Sequence, residues 1–431
     1  MGEKILKILR HNFVKTGSVV LIGSFLVNFL NYLFNLTMGR MLSPEKFGEV
    51  AALMGLAVIV SVPSAAIMKI MARYVAAFHA KNEKEKIKQL LSAIMRWSIF
   101  LSLILVLAFL VLIPLISSYL HIERLPFYIF VLILPLALVF SVSQGMLQGL
   151  LKFVPFSIAN IIASAAKLLL AIIFVLSGYS VSGVVAAFVI AGFLSTAYGL
   201  RKIKPFLEMK KLLGEKVENL LKRKEISNYA GIMFWTTLIM IFFTNIDVIL
   251  AKHYLVPDLA GKYAALSVLG KIVIFCSGSF FTIIFPKVST AQVNGDGREK
   301  LFLKISLLLV GSTSGAVAIV FSLFPELIVK IFFGSAYLAI APYLGLFSLA
   351  MLFGVLGQAF LNYYMALNTK SYLYPMTFVT IFQIVAIALF HSDIQQIVNC
   401  ILLSNFIYFV IMAMTYLMKK TTVLQKEKLS I

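Results

Sequence analysis

Twelve stretches of predominantly apolar residues run through the chain, near 14–38, 48–73, 92–118, 126–149, 153–177, 180–200, 228–252, 262–286, 303–324, 338–366, 372–391 and 394–418. Each is roughly 20 residues or longer, enough to cross a hydrocarbon core of about 30 Å at about 1.5 Å per helical residue. In lipid every backbone polar group must be satisfied internally, so such a chain spans only as helices or as a closed barrel. No stretch alternates apolar and polar with period two between turns, and the barrel is not supported. The expected class is an all-α polytopic membrane protein with 12 transmembrane helices. Composition agrees, because 61% hydrophobic and 13% charged residues over 431 positions leave too little polar surface to cover a water-soluble globule.

The net charge of +21 raises the question of nucleic acid, and the placement of the cations answers it. With the N-terminus inside, the segments 1–16, 74–91, 150–152, 201–227, 287–304, 367–371 and 419–431 hold 28 of the 38 Lys and Arg, counting Arg73 at its boundary. The opposite loops hold six, Arg40, Lys46, Arg124, Lys252, Lys262 and Lys330. This is the positive-inside bias of a cytoplasmic-membrane protein with both termini cytoplasmic, so no nucleic-acid partner is expected. The first apolar run is too long for a signal-peptide core and lacks a small-residue cleavage pattern after it, and it reads as the first span. Ahead of it, Ile5, Ile8, Leu9 and Phe13 share one helical face and Lys4, Lys7 and Arg10 another, which suits either a helix on the anionic leaflet or a solvated basic tail. Cys276 and Cys400 stand alone in apolar spans, without a disulfide framework or metal-ligand spacing.

Residues 42–53 read LSPEKFGEVAAL and residues 255–266 read LVPDLAGKYAAL, a gapless echo at a step of 213. Six spans separate the copies, so both emerge on the same side, as parallel repeats do. Gln144, Leu147 and Gln148 recur as Gln358, Leu361 and Asn362 at a step of 214. The expected organisation is an N-terminal six-helix lobe over 1–200, a basic cytoplasmic linker over 201–227, and a C-terminal lobe over 228–431 with a short basic tail. In the linker Met209, Leu213, Val217, Leu220 and Leu221 form an apolar stripe that predicts a surface helix. Pro44 and Pro257 are expected to end the preceding helices, while Gly48 and Gly261 permit close helix contact.

The run GRMLSPEKFGEVAAL, the second-half run from TNIDVIL to GKYAAL, and the ends of the fourth and tenth spans resemble the polysaccharide-unit flippases. These share a superfamily with the multidrug and toxin extrusion antiporters and the lipid II flippases. The resemblance implies two six-helix repeats around a central cavity that opens alternately to each side. It implies a lipid-linked oligosaccharide as cargo, carried on polyprenyl pyrophosphate, and a polysaccharide polymerase or glycosyltransferases as protein partners.

The residues themselves supply candidate sites. Ser24, Asn28, Asn31 and Asn35 stay within about 60° of one another on the first span. Asn160, Ser164 and Lys167 do the same on the fifth, and Ser267, Lys271, Gly278 and Thr282 on the eighth. Such stripes face either a partner helix or a water-filled cavity. Lys69 and Arg96 lie near the cytoplasmic boundary, where snorkelling accounts for them. Lys167 and Lys271 lie about 13 Å deep, where an unpaired ammonium is costly and where a pyrophosphate would need cations. The substrate-binding candidates are therefore Lys167, Lys271, Asn28, Asn31, Asn35, Asn160, Ser164, Gln144 and Gln358. Asp247, about 7 Å from the outer end of the seventh span, either pairs with Lys271 or binds Na⁺ or a proton. The ion-coupling reading follows the lipid II branch, and Thr380, Gln383 and Asn399 are its candidate helpers.

No cofactor is expected beyond a coupling Na⁺ or proton. An enzyme such as a membrane glycosyltransferase needs paired catalytic carboxylates, whereas the external acids Glu45, Glu123, Asp258 and Asp393 are scattered in short loops. Within transport, the alternatives are an ion-coupled drug antiporter, a lipid II flippase or a major-facilitator carrier. The last lacks its usual glycine-rich turn here, where RYVAAFHAKNEKEKIKQ stands between the second and third spans.

Overall fold

A computed structural model describes residues 2–207, 224–294, 298–367, 369 and 371–429, with side chains described between Ile22 and Met418 apart from 208–230 and scattered positions, most of them within 276–297. Every regular element among the described residues is helical. The first unit holds α1 (Gly2–Met41), α2 (Pro44–Val60), α3 (Val62–Ala80), α4 (Lys84–Leu120), α5 (Arg124–Phe130), α6 (Ile133–Gly149), α7 (Phe153–Leu176) and α8 (Ser180–Ile203). After α9 (Lys224–Tyr254) come α10 (Pro257–Gly270), α11 (Ile272–Asn294), α12 (Glu299–Leu323), α13 (Pro325–Phe332), α14 (Ala341–Ala366), α15 (Leu373–Leu389) and α16 (Ile394–Leu429). The chain divides into two compact units, Met1–Leu238 and Ile239–Ile431, with the division falling inside α9.

Each of the twelve apolar stretches falls on helix, but they are not twelve uniform rods. Eight helices among the described residues are long and apolar enough to cross a membrane, or nine if α2 and α3, bent by 42° across Ser61, form one span. A count of twelve crossings is thus not established by length and composition. The faces of the N-terminal segment, the 209–221 linker stripe and the side chains of Cys276, Gly278 and Thr282 lie outside the described residues.

The repeated turn works differently from the expectation. Pro44 and Pro257 do not end the preceding helices but occupy the first turn of α2 and α10. Proline fits there because its missing N–H is one of the donors a helix start leaves unpaired. Ser43 completes the first cap, its Oγ accepting from the Lys46 backbone N–H at 3.4 Å. Gly48 and Gly261 are both buried, as the close-contact reading requires. So are Val50 and Tyr263, Ala52 and Ala265, and Leu53 and Leu266, so the step of 213 keeps these positions buried in both copies.

In the first unit α6 packs on α3 and α4 around Met71, Val75, Leu91, Val142, Met146 and Leu147. A Cβ at Gly145 would stand 2.5 Å from Met71 Cβ and 2.6 Å from the Met68 carbonyl, so α6 and α3 touch backbone to backbone. α7 packs on α1 and α8, α8 also packs on α6, and this group carries most of the polar candidates. In the second unit α14 packs on α12 and α16, with Phe360, Tyr364, Val379, Tyr408 and Met412 in the core.

Candidate functional site

In the first unit, the α7 stripe turns inward against α1, α6 and α8. Lys167 is half-buried, and its Nζ donates to Asn31 Oδ1 on α1. The same ammonium stands 4.7 Å from the ring centroid of Phe34 and 5.0 Å from that of Phe188. Those two rings meet edge to face at 5.5 Å, so two aromatic faces and one amide oxygen hold the cation. No carboxylate among the described residues pairs with it. Lys167 opens on a cavity of about 250 Å³, whose polar lining is Asn31, Ser164, Ser195 and Thr196. Thr196 Oγ1 is buried there without a hydrogen-bond partner.

Asn160 lies two turns before Lys167 and donates through Nδ2 to the Phe156 carbonyl at 2.9 Å and to Gln144 Oε1 at 3.3 Å. Gln144 itself is 1% exposed. With Asn28, Asn160 lines a second cavity of about 270 Å³ between α1 and α7. Asn35 folds back on its own helix, donating to the Asn31 carbonyl at 2.9 Å. Of the seven first-half candidates, then, six border one of two neighbouring cavities or, in the case of Gln144, the amide that lines one.

The second unit builds a different group. Asp247 is 3% exposed, and its Oδ2 accepts from Tyr263 Oη at 3.0 Å and from Ser267 Oγ at 3.1 Å. Its Oδ1 faces Lys271 Nζ at 3.8 Å, an ion pair too long for a hydrogen bond. Lys271 stands at the break between α10 and α11, which is what lets its stem turn back toward α9. The two deep lysines therefore differ, since Lys271 has a carboxylate and Lys167 has none. Gln383 on α15 donates to the Phe243 carbonyl on α9 at 3.1 Å, one turn before Asp247. Thr380 bonds the Met376 carbonyl of its own helix and Asn399 pairs with Gln395, so neither joins this group. Gln358 is half-buried on α14 and is not among the partners of Asp247. No cluster of three or more His, Cys, Asp or Glu that would hold a metal ion occurs among the described residues.

Three features escaped the sequence reading. Tyr263 belongs to the repeated motif, yet only the turn of α10 toward α9 shows that its hydroxyl serves Asp247. Phe34 and Phe188 read as ordinary apolar positions, although Phe34 falls three residues after Asn31 and so shares its face. Lys69, expected to snorkel, donates to Thr237 Oγ1 at 3.2 Å.

A family profile described as "Polysaccharide biosynthesis protein" matches residues 37–342, more than two thirds of the chain. Among solved structures, the chain is similar to the inward-facing conformation of a multidrug resistance MATE family transporter of the MOP superfamily, with a TM-score of 0.75 at 14% identity, over 91% of this chain and 95% of that one. It is similar to the lipid II flippase MurJ in an inward closed conformation, with a TM-score of 0.71 at 14% identity, over 92% and 87%. It also matches MATE in the straight conformation, with a TM-score of 0.63 at 15% identity, over 96% of each chain. No curated protein matches by sequence. At these identities the likeness establishes the fold, which is that of the MATE transporters and MurJ.

Proposed function

The chain belongs to the polysaccharide biosynthesis protein family, and from that premise we propose that it is a flippase for a lipid-linked oligosaccharide, carried on polyprenyl pyrophosphate and moved outward across the cytoplasmic membrane by alternating access. The two lobes are 1–200 and 228–431, joined by the basic linker, with both termini cytoplasmic. The observation that carries the reading is Lys167, a deep ammonium held by Asn31 and two aromatic rings, without a carboxylate, on a cavity. A cation kept in place by neutral groups retains its full attraction for a diphosphate, because screening is weak at that depth. Lys271 is the second anion-holding group, released to the cargo when it leaves Asp247. Asp247 then takes up the driving Na⁺ or proton, which links ion and cargo to the same conformational equilibrium.

The test is flipping of a fluorescent polyprenyl-pyrophosphate oligosaccharide in proteoliposomes. Lys167→Gln lowers the rate with insertion and folding intact, and Lys167→Arg, which keeps the charge, retains more of it. Normal flipping by the Lys167→Gln/Lys271→Gln double variant overturns the reading.

A further inference from the structure

We infer that the cavity beside the Lys167 chamber is a subsite for an uncharged sugar, the one attached directly to the diphosphate; this rests on the function proposed above and divides its site in two. The cavity, about 270 Å³, is lined by Gly23, Ser24, Asn28, Phe156, Ser157 and Asn160, together with Val27, and carries no ionisable side chain. Its hydrogen-bonding groups are set for a guest. Asn160 spends both Nδ2 hydrogens inside the protein, on the Phe156 carbonyl and on Gln144 Oε1. The carbonyl can only accept, which fixes the orientation of the amide and leaves Asn160 Oδ1 as an acceptor. Asn28 is exposed and makes no hydrogen bond with any described residue, so its amide offers a donor and an acceptor together. Ser24 and Ser157 add hydroxyls that serve either way. The Phe156 ring gives an apolar wall beside these few convergent polar groups, the mixture that small-ligand sites use.

Register ties this cavity to the cation. Asn28 and Asn160 line it, while Asn31 and Ser164, one turn further along each helix, line the Lys167 chamber. Asn160 and Lys167 are seven residues apart, about 10 Å along α7. A diphosphate on Lys167 that carries a pyranose covers that interval. The chemistry also selects the sugar. A hydroxyl or acetamido group finds a partner in Asn28, Asn160 Oδ1 or a serine. A carboxylate could accept from Asn28 Nδ2 or a serine hydroxyl, but it would also face Asn160 Oδ1 and meet no cation, so its charge would be only partly offset.

Four probes and the full chain in nanodiscs test this: bare polyprenyl pyrophosphate, and the same carrier bearing glucose, N-acetylglucosamine or glucuronate. A neutral-sugar probe is expected to bind about tenfold tighter than the bare carrier, the gain from one or two good hydrogen bonds, and the glucuronate probe to gain nothing. Asn28→Ala, which has no internal bond to lose, is expected to remove the gain while shifting the bare carrier by less than about twofold. Lys167→Gln is expected to weaken all four. An unchanged sugar preference in Asn28→Ala, a gain for glucuronate alone, or no gain for any sugar overturns the subsite and leaves the flippase reading standing. A wild-type chain that fails to bind the bare carrier overturns both.

Discussion

Replacing Lys271 by Gln should destabilise the second unit more than replacing its partner Asp247 by Asn, although both break the same ion pair. At 3.8 Å and an effective dielectric constant of about 20, the attraction is on the order of 4 kcal/mol before desolvation is counted. Desolvation is unequal. Asp247 is 3% exposed overall, whereas the Lys271 side chain keeps 20% of its surface. Without Lys271 the carboxylate stays buried with only Tyr263 and Ser267 to offset its charge. Breaking a buried pair from one side in this way costs about 3–5 kcal/mol, and two hydroxyl donors hold this case near 3. In Asp247→Asn the amide oxygen inherits both donors, and the lysine turns its exposed end to water. What is lost is the charge assistance, about 1–2 kcal/mol. The double variant leaves no uncompensated charge and should return to about the Asp247→Asn level, a coupling of about 3 kcal/mol. Unfolding in detergent micelles, followed through Trp97 and Trp235, gives the order. Additive losses, or Lys271→Gln no worse than Asp247→Asn, would refute the claim that the carboxylate is the more tightly enclosed partner.

Two further outcomes follow from other contacts. Gly145→Ala places a methyl 2.5 Å from Met71 Cβ and 2.6 Å from the Met68 carbonyl, so the α3–α6 contact must open, at about 1–3 kcal/mol, and a micelle unfolding midpoint equal to wild type would contradict it. Asp247→Asn should abolish the dependence of transport on an imposed Na⁺ or proton gradient while the protein remains folded, and unchanged gradient dependence in proteoliposomes would remove Asp247 from coupling.

The apolar runs were enough to place every helix that carries a candidate residue, because burial in lipid leaves the backbone few choices. They did not reveal the breaks. Ser61 and Lys271 interrupt helices in the middle of apolar runs, and hydropathy is blind to a bend that leaves composition unchanged. Periodicity found the α7 stripe, since Asn160, Ser164 and Lys167 share a face whatever they pack against. It could not separate Lys167 from Lys271. Their depth and setting look alike in the sequence, and the difference lies in what a neighbouring helix presents.

That difference grows from the repeat itself. The two copies of the turn are both buried at Gly48 and Gly261, Val50 and Tyr263, Ala52 and Ala265, and Leu53 and Leu266, yet their charges are rearranged. In the first, Lys46 pairs with the buried Glu49 at 2.9 Å; in the second, Asp258 pairs with Lys262 at 2.6 Å. Val50 of the first copy corresponds to Tyr263 of the second, and only the tyrosine can donate to Asp247. Packing therefore constrains the shared positions while the polar ones are free to diverge. A carboxylate enclosed by hydroxyls can arise in one copy without its counterpart appearing in the other. In the first copy's unit the deep lysine is met instead by Asn31 and aromatic rings, groups that hold an ammonium without neutralising it. Divergence around a shared motif thus leaves one unit with a lysine met by neutral groups and the other with a lysine paired to a buried carboxylate.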